Sequence, residues 1–178
     1  MRPWPIAELP ENQPGRLVGN VHELQPTLIA PLTGRACVYY VVLVEQAAFS
    51  GWQERITERG GVAFALEDAS GSAVIDPARA SVALAFDHRA EIRARDEATP
   101  AQEAVLARHG SNVTGRDRLR FVEAILSVGE RVTVVGTGVR RPDITTSAES
   151  GYRSAPATRL YVAASHAAPL SISSHRIR

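Results

Sequence analysis

The stretch APLTGRACVYYVVLVEQ, residues 30–46, decides the fold of this chain. A Pro-Leu-Thr-Gly turn leads into an apolar run that ends at Glu45. Side chains are apolar at both alternating sets of positions, which is typical of a strand covered on both faces. Its β-branched and aromatic residues favour a strand over a helix. The stretch therefore predicts a central strand of a β-sheet, which the turn at residues 31–34 begins.

Neighbouring segments extend the β pattern. FSGWQERITER (residues 49–59) is predicted to pair with the central strand, and VAFALEDASGSAVIDP (residues 62–77) has the pattern of a hairpin in which Gly71 supplies a positive φ. Glycines inside strand patterns at positions 19, 136 and 138 are typical of bent barrel strands. We predict a mainly β fold, either an antiparallel curved sheet or a partly closed OB-like barrel.

One segment has helical signals. In TPAQEAVLARHG (residues 99–110), Thr99 is suited to cap a helix that Pro100 begins and Gly110 follows. This predicts one helix inserted near residues 100–109. Residues 1–14 are predicted to form an extended Pro-rich arm that Trp4 pins down, and residues 15–178 a single β domain with a mobile loop at about 141–157.

Composition excludes several function classes. The chain has 20 basic residues, all Arg, against 19 acidic ones, for a net charge of +1, which argues against a strong field for nucleic acid or anionic membrane. The absence of Lys excludes Schiff-base and P-loop chemistry. The longest apolar run, residues 38–44, is far short of the ~20 residues that span a bilayer. We predict a cytoplasmic protein that reaches a membrane only through a partner.

Catalytic and metal motifs are not recognisable in the sequence. Cys37 is the only cysteine and lies in a strand without a neighbouring His or charge, so an inert buried thiol is predicted. The five His residues show no paired spacing, and Asp68 with Ser70 fits a β-turn better than a catalytic pair. We therefore predict no enzyme activity, no cofactor and no metal.

Glu123 is the polar residue that stands out, because it lies inside the apolar segment 121–126. A carboxylate in such a segment requires a partner, and Arg35, Arg118 and Arg131 are the candidates. Two interpretations stay open: Glu123 fixes a seam of the barrel, or it marks a polar spot in a binding groove.

Aromatic residues suggest a wall for such a groove. Trp52, on the predicted partner strand, could line it together with Tyr39 or Tyr40, although core packing with a satisfied indole N–H is the commoner role. The candidate binding residues are therefore Glu123, Trp52, Tyr40 and Arg35.

Four pieces of the sequence resemble, in order and spacing, one known family. They are PLTG (31–34) followed by CVYY (37–40), FALEDASGSAVIDP (64–77), ExxLxxGERV (123–132) followed by VG (135–136), and PLSIS (169–173). This set resembles the GIDE domain, which is the middle domain of membrane-anchored E3 ubiquitin ligases and also occurs in uncharacterised bacterial proteins. The resemblance covers most of residues 15–175.

The resemblance implies a binding or sensing module rather than a ligase. In the family, ligase activity belongs to a RING whose zinc ions need several Cys and His ligands, and a chain with one Cys cannot form it. Transmembrane helices that usually accompany the domain are also missing here. We expect a non-catalytic binding or scaffold module with a protein partner. The alternatives are a hydrolase or metal-dependent enzyme, and an OB-like binder of single-stranded nucleic acid, which the balanced charge disfavours.

Overall fold

The computed structural model describes residues 1–110, 116–143 and 158–175. Within these residues the chain forms one α-helix and thirteen strands: β1 (Pro14–His22), β2 (Leu28–Ile29), β3 (Ala36–Cys37), β4 (Tyr39–Ala48), β5 (Gly51–Gly61), β6 (Phe64–Asp68), β7 (Gly71–Asp76), β8 (Ser81–Ala83), β9 (His88–Ile92), α1 (Pro100–Arg108), β10 (Leu119–Leu126), β11 (Arg131–Pro142), β12 (Thr158–Ala163) and β13 (Ser171–Ser174). The predicted mobile loop at about residues 141–157 falls mostly outside the described residues.

The chain divides into two compact units. The first comprises Met1–Pro26, Val62–Ala83 and Val128–Arg178, and the second comprises Thr27–Gly61 and Leu84–Ser127. The second unit is thus built from two segments that interrupt the first one in the sequence. Residues 15–178, predicted as one domain, contribute to both units.

The first unit contains a closed barrel of five strands. The strand order is β1-β6-β7-β12-β11, and β11 pairs with β1 to close the circle. β7 and β12 run parallel while the other barrel pairs are antiparallel. The predicted mainly β, OB-like barrel is therefore confirmed, as a closed mixed barrel. Beyond the barrel, β13 pairs with β11 and β8 pairs with β13.

Alternation along β1 explains how the barrel packs. Leu17, Gly19 and Val21 are buried, whereas the residues between them are more exposed. The buried set faces the interior, as expected for side chains that alternate across a strand. Glycine is required at position 19, because a Cβ there would lie 2.5 Å from the backbone oxygen of Glu67 on β6.

Gly19→Ala is expected to lower the free energy of unfolding by about 1–3 kcal/mol, because the added methyl group pushes apart two paired backbones. Urea denaturation followed by circular dichroism measures the loss. Gly71→Ala is the matched control, since the nearest atom to its Cβ would be 3.8 Å away and its φ is not positive. Equal stability of the two variants would contradict the close approach.

The predicted hairpin turn at residues 68–71 is confirmed, but the predicted positive φ of Gly71 is wrong. Asp68 pairs with Gly71 at the end of the β6–β7 ladder. Gly71 is not among the glycines with positive φ in the described residues. The Asp68 side chain shapes the turn instead, because its Oδ1 accepts hydrogen bonds from the N–H groups of Ser70 and Gly71.

The second unit is a four-stranded antiparallel sheet with the order β5-β4-β10-β9. β4, which carries most of the opening stretch, lies between β5 and β10, so the predicted central strand is confirmed. Helix α1 supplies Val105 and Leu106 to a buried cluster with Val42, Val44 and Phe121. That cluster covers one face of the sheet.

The helix begins as predicted and its capping can be assigned atom by atom. Thr99 accepts from the backbone N–H of Gln102, whose side chain in turn accepts from the Thr99 N–H. This reciprocal capping box satisfies two backbone donors at the helix start. Gly110 follows with φ of +55°, the left-handed conformation expected after a helix end. In the part of the chain that the structure describes, none of the helices combines the length and the apolar character that crossing a membrane requires.

Candidate functional site

Glu123 lies in the middle of the sheet of the second unit. It sits on β10 opposite Val42 of β4 and His88 of β9, and its exposure is 0%. Glu123 therefore belongs to the four-stranded sheet and not to a seam of the barrel, because β10 is not a barrel strand.

The turn at residues 31–34 folds over the Glu123 carboxylate. The backbone N–H of Leu32 donates to Oε2 at 2.7 Å, and the hydroxyl of Thr33 donates to Oε1. Gly34 closes the turn with φ of +69°, and its N–H donates to the Ala30 oxygen at 2.9 Å. Glycine adopts that conformation readily because it has no Cβ. The turn thus supplies hydrogen-bond donors for a carboxylate distant in sequence.

Arg35 completes this group and joins it to a second carboxylate. Its guanidinium lies 3.5 Å from Glu123 Oε1, and its Nε donates to Thr33 Oγ1 at 2.9 Å. It also makes a bidentate pair with Asp87 at 2.7 and 2.8 Å, and this pair chiefly raises the pKa of Arg35. We call Glu123, Leu32, Thr33, Arg35 and Asp87 the Glu123 cluster.

The geometry of the Glu123 cluster favours the structural interpretation. Both carboxylate oxygens have donors within the protein, and the side chain has no exposed surface. A ligand could reach Glu123 only by displacing the turn. Of the three Arg partners predicted for Glu123, the structure selects Arg35.

Cys37 lies close to this cluster and is fully buried with Ala30 and Ile125. Burial, assisted by the negative charge of Glu123, raises the pKa of the Cys37 thiol to about 11. A thiol with that pKa is almost entirely protonated at neutral pH, which agrees with the predicted inert role.

Tyr40 shares the sheet face of Glu123 but has a partner of its own. Its hydroxyl donates to Glu58 Oε1 at 3.2 Å. Arg108 and His109, at the end of helix α1, bind the same carboxylate at 3.0 and 2.8 Å. Basic residues are favourable at a helix C-terminus, so this group stabilises the docking of the helix on the sheet.

Trp52 lies on the opposite face of the sheet from Tyr40. It pairs with Ala47 of β4. Side chains alternate along a strand, so Ala47 and Tyr40, at odd and even positions of β4, point to opposite faces of the sheet. The guanidinium carbons of Arg118 and Arg120 lie 5.3 and 4.5 Å from its ring centroid. The structure thus brings Glu123 and Arg35 together, places Tyr40 on their face, and separates Trp52 from all three.

The histidines do not converge. His22, His109 and His175 contact Glu67, Glu58 and Thr133, respectively. Across residues 1–110, 116–143 and 158–175, no three His, Cys, Asp or Glu side chains are arranged to hold a metal ion.

An open groove of about 820 Å³ lies within the first unit. The outward-facing residues of β1 form its floor, with Val18, Asn20 and His22, and Glu67 of β6 lies beside them. Trp4, which is 41% exposed, belongs to the wall that the N-terminal arm provides. We call this depression the arm groove. A volume of this size lies within the range of small-ligand sites.

The arm is anchored rather than simply extended. It contains a short 3₁₀ turn at Ile6–Glu8, and Ile6 and Leu9 are buried at 1% and 2% exposure. These two apolar side chains hold the arm on the barrel, and Trp4 adds a hydrogen bond from its backbone N–H to the oxygen of Arg16 at 2.8 Å. Burial of apolar side chains of this size contributes about 1.5–3 kcal/mol each.

Asp68 fixes the position of the arm. Its Oδ2 accepts the backbone N–H of Ile6 at 2.9 Å, and Ser70 Oγ accepts the N–H of Ala7 at 3.0 Å. Burial raises the pKa of Asp68, but hydrogen bonds from Ser70, Ile6 and Gly71 outweigh it, so its pKa lies below the usual value. The turn residues predicted at 68–71 therefore also shape the arm groove.

The arm groove carries mixed charge. Glu8, Glu67 and Asp68 supply carboxylates, and Arg131 and His22 supply the basic groups. His22 lies 3.4 Å from Glu67. Prolines around Trp4 in the sequence were the only local sign of this site, because its other residues are brought together by strand pairing.

Comparison of the chain with family models, with curated proteins and with solved structures finds no match. The resemblance to the GIDE domain accordingly stays a prediction.

Proposed function

We propose that this chain is a non-catalytic binding or scaffold module that takes its partner in the arm groove. The observation that carries the proposal is the groove itself, which is open, of about 820 Å³, and walled by a docked arm that leaves Trp4 half exposed. Half-exposed Trp residues are enriched at sites of protein contact. The predicted site around Glu123 does not compete, because its polar groups already bind one another.

The resemblance to the GIDE domain supports the same proposal from the sequence. A domain of that kind would act as an adaptor, and any association with a membrane would then come through its partner.

A capture experiment with a matched pair of variants tests the proposal. Tagged protein is incubated with soluble and membrane fractions of its own host, and stoichiometric partners are identified by mass spectrometry. Asn20→Arg places a long side chain on the groove floor, whereas Ala83→Arg places the same side chain on an exposed position of β8 outside the groove. We expect a partner that is lost with Asn20→Arg and retained with Ala83→Arg. Equal capture by both variants would refute the groove as the site.

Single-stranded nucleic acid is a second candidate ligand, because OB-like barrels commonly bind it. The acidic residues Glu67, Asp68 and Asp76 on β6 and β7 oppose a phosphate backbone. A mobility-shift assay with mixed-sequence oligonucleotides at low salt separates the two candidates. Absence of a shift at micromolar protein would remove the nucleic-acid candidate, and a shift abolished by salt would support it.

The predicted alternative of a hydrolase or metal-dependent enzyme has less support. It requires His and Asp residues from distant segments to meet in one pocket, and the described residues contain no such set of metal ligands. A retained small molecule in the purified protein would be the finding that favours it.

A further inference from the structure

Backbone groups of β1 point alternately toward β11 and toward the arm groove. Val21 faces the β11 side, since its oxygen accepts the Gly129 N–H at 2.7 Å and its N–H donates to the Glu130 oxygen at 2.8 Å. In an antiparallel pair the N–H and C=O of one residue point to the same side, and successive residues alternate. Arg16, Val18 and Asn20 therefore direct their backbone groups away from β11.

Neighbours occupy the positions on either side of Val18. Asn20 is paired with Glu67, where the β1–β6 ladder stops. The Arg16 oxygen accepts the N–H of Trp4 at 2.8 Å, so the arm already uses this edge as a strand would. Val18 lies between these two contacts, and within the described residues its N–H and C=O make no backbone hydrogen bond outside the strand ladders. Its N–H and C=O consequently point away from β11, beside the arm groove that Val18 lines.

A donor and an acceptor side by side on one residue match the main chain of an extended peptide. This is the pairing by which sheet edges recognise peptide strands. Arg16 and Asn20, about 13 Å apart along β1, already have partners, so the open edge between them takes the main chain of one peptide residue, that opposite Val18. The pairing would add one residue pair to β1, beside the end of the β1–β6 ladder.

The charges beside Val18 indicate which side chain such a peptide carries. Glu8, Glu67 and Asp68 line the groove together with Trp4, against one guanidinium, that of Arg131, and the imidazole of His22 beside Glu67. Carboxylates and an aromatic face are the two groups that bind a Lys or Arg side chain, through ion pairing and cation–π contact. The same carboxylates oppose the phosphates of a nucleic acid, so they favour a peptide over an oligonucleotide.

We propose that the arm groove binds an extended peptide segment of a partner protein, whose main chain pairs with Val18 and whose basic side chain lies between Glu67 and Trp4. This inference rests on the proposed function, because it names the ligand class of the same groove.

The probes are three pools of capped pentapeptides, the Lys, Gln and Glu pools. Each pool places that one residue at every position in turn, and all other residues of the peptides are uncharged. Binding is followed by Trp fluorescence in a Trp52→Phe background, where Trp4 is the only tryptophan left of the two in the chain. We expect the Lys pool to bind roughly 5- to 10-fold more tightly than the Gln pool, and the Glu pool to bind least. Glu67→Arg should reverse this order, while Glu23→Arg, an exposed position outside the groove, should preserve it.

Val18→Pro tests the main-chain pairing directly. Proline removes the N–H that faces the groove and leaves the ladder to β11 intact, a position where strands tolerate it. All pools should bind roughly 3- to 10-fold more weakly, as for the loss of one hydrogen bond.

If this variant does not fold, the amide resonance of Val18 in the wild-type protein serves instead, and it should shift on addition of the Lys pool. Equal affinity of the three pools, or an unmoved Val18 amide, would overturn the inference.

Failure of this inference is distinguishable from failure of the proposed function. If no pool binds but Asn20→Arg still abolishes capture of the partner, the groove is the site and its ligand is not an extended peptide. If Asn20→Arg also leaves capture unchanged, both proposals fall.

Discussion

Glu123→Ala is expected to lower the free energy of unfolding by about 3–5 kcal/mol, the largest loss among the substitutions considered. The change leaves the Leu32 N–H and the Thr33 hydroxyl without their acceptor, deprives Arg35 of one of its two carboxylates, and opens a cavity. When one partner of a buried hydrogen bond is removed, the group left without a partner costs the full free energy of its desolvation. Urea denaturation monitored by circular dichroism gives the value.

Two further variants establish that the loss comes from the Glu123 cluster. Glu123→Gln keeps the volume but offers only one acceptor oxygen to the two donors, so about 1–3 kcal/mol should be lost. Glu91→Ala removes a carboxylate that is 38% exposed in a surface pair with Arg118, and should change stability by no more than about 0.5 kcal/mol. An unchanged melting temperature for Glu123→Ala, together with lost partner capture, would instead show that Glu123 binds the partner.

Asp68→Ala is expected to release the N-terminal arm and lower the free energy of unfolding by about 2–4 kcal/mol. The Asp68 carboxylate accepts hydrogen bonds from Ile6, Ser70 and Gly71, and hydrogen bonds to charged groups are worth about 1.5–3 kcal/mol. Without it the hydrogen bond that positions Ile6 is lost, and the burial of the Ile6 and Leu9 side chains weakens. Limited proteolysis near residues 1–10, compared with the wild type, detects the release, and partner capture should fall because the groove loses a wall.

Acid should have the same effect on the wild-type protein. The pKa of Asp68 is lower in the folded protein than its ordinary value, so its contribution to stability is complete above about pH 4. The contribution is lost as the pH falls through the folded pKa, because the carboxylate is then protonated. We expect arm proteolysis by an acid protease to increase below about pH 4 in the wild type and to depend less on pH in Asp68→Ala. An arm equally protected in both proteins would contradict the anchor.

Strands, the helix and turns were predicted well from local features of the sequence, because each such element depends mainly on residues that are neighbours in the chain. The central strand β4 follows from a run of β-branched and aromatic side chains, and helix α1 from Thr99 and Pro100 at its start. The turn at residues 68–71 was placed correctly, although the Asp68 side chain rather than a positive φ at Gly71 shapes it. Predictions of this kind require only the alternation of side chains and the preferences of capping residues.

The candidate site shows where local patterns become ambiguous. The sequence predicted that Glu123 lies half buried against an Arg and named Arg35 among the candidates, whereas the structure buries it completely. The sequence could not exclude a groove there. It also grouped Trp52 with Tyr39 or Tyr40, although Tyr40 lies on the opposite face of the sheet and Tyr39 pairs with Gly61 at the other end of the β4–β5 ladder. A shift of one residue in strand pairing changes the face of every side chain, and that register is set by contacts across strands.

The sequence alone therefore determined that this chain is mainly β, that β4 is a covered central strand, and that a capped helix interrupts the strands. Only the tertiary structure decided that five strands close into a mixed barrel, that the turn at residues 31–34 satisfies Glu123, and that the arm makes a groove beside Val18. The physical reason is distance along the chain. Ile6 meets Asp68 and Thr33 meets Glu123 across 62 and 90 residues, and contacts of such separation leave no periodic trace in a sequence.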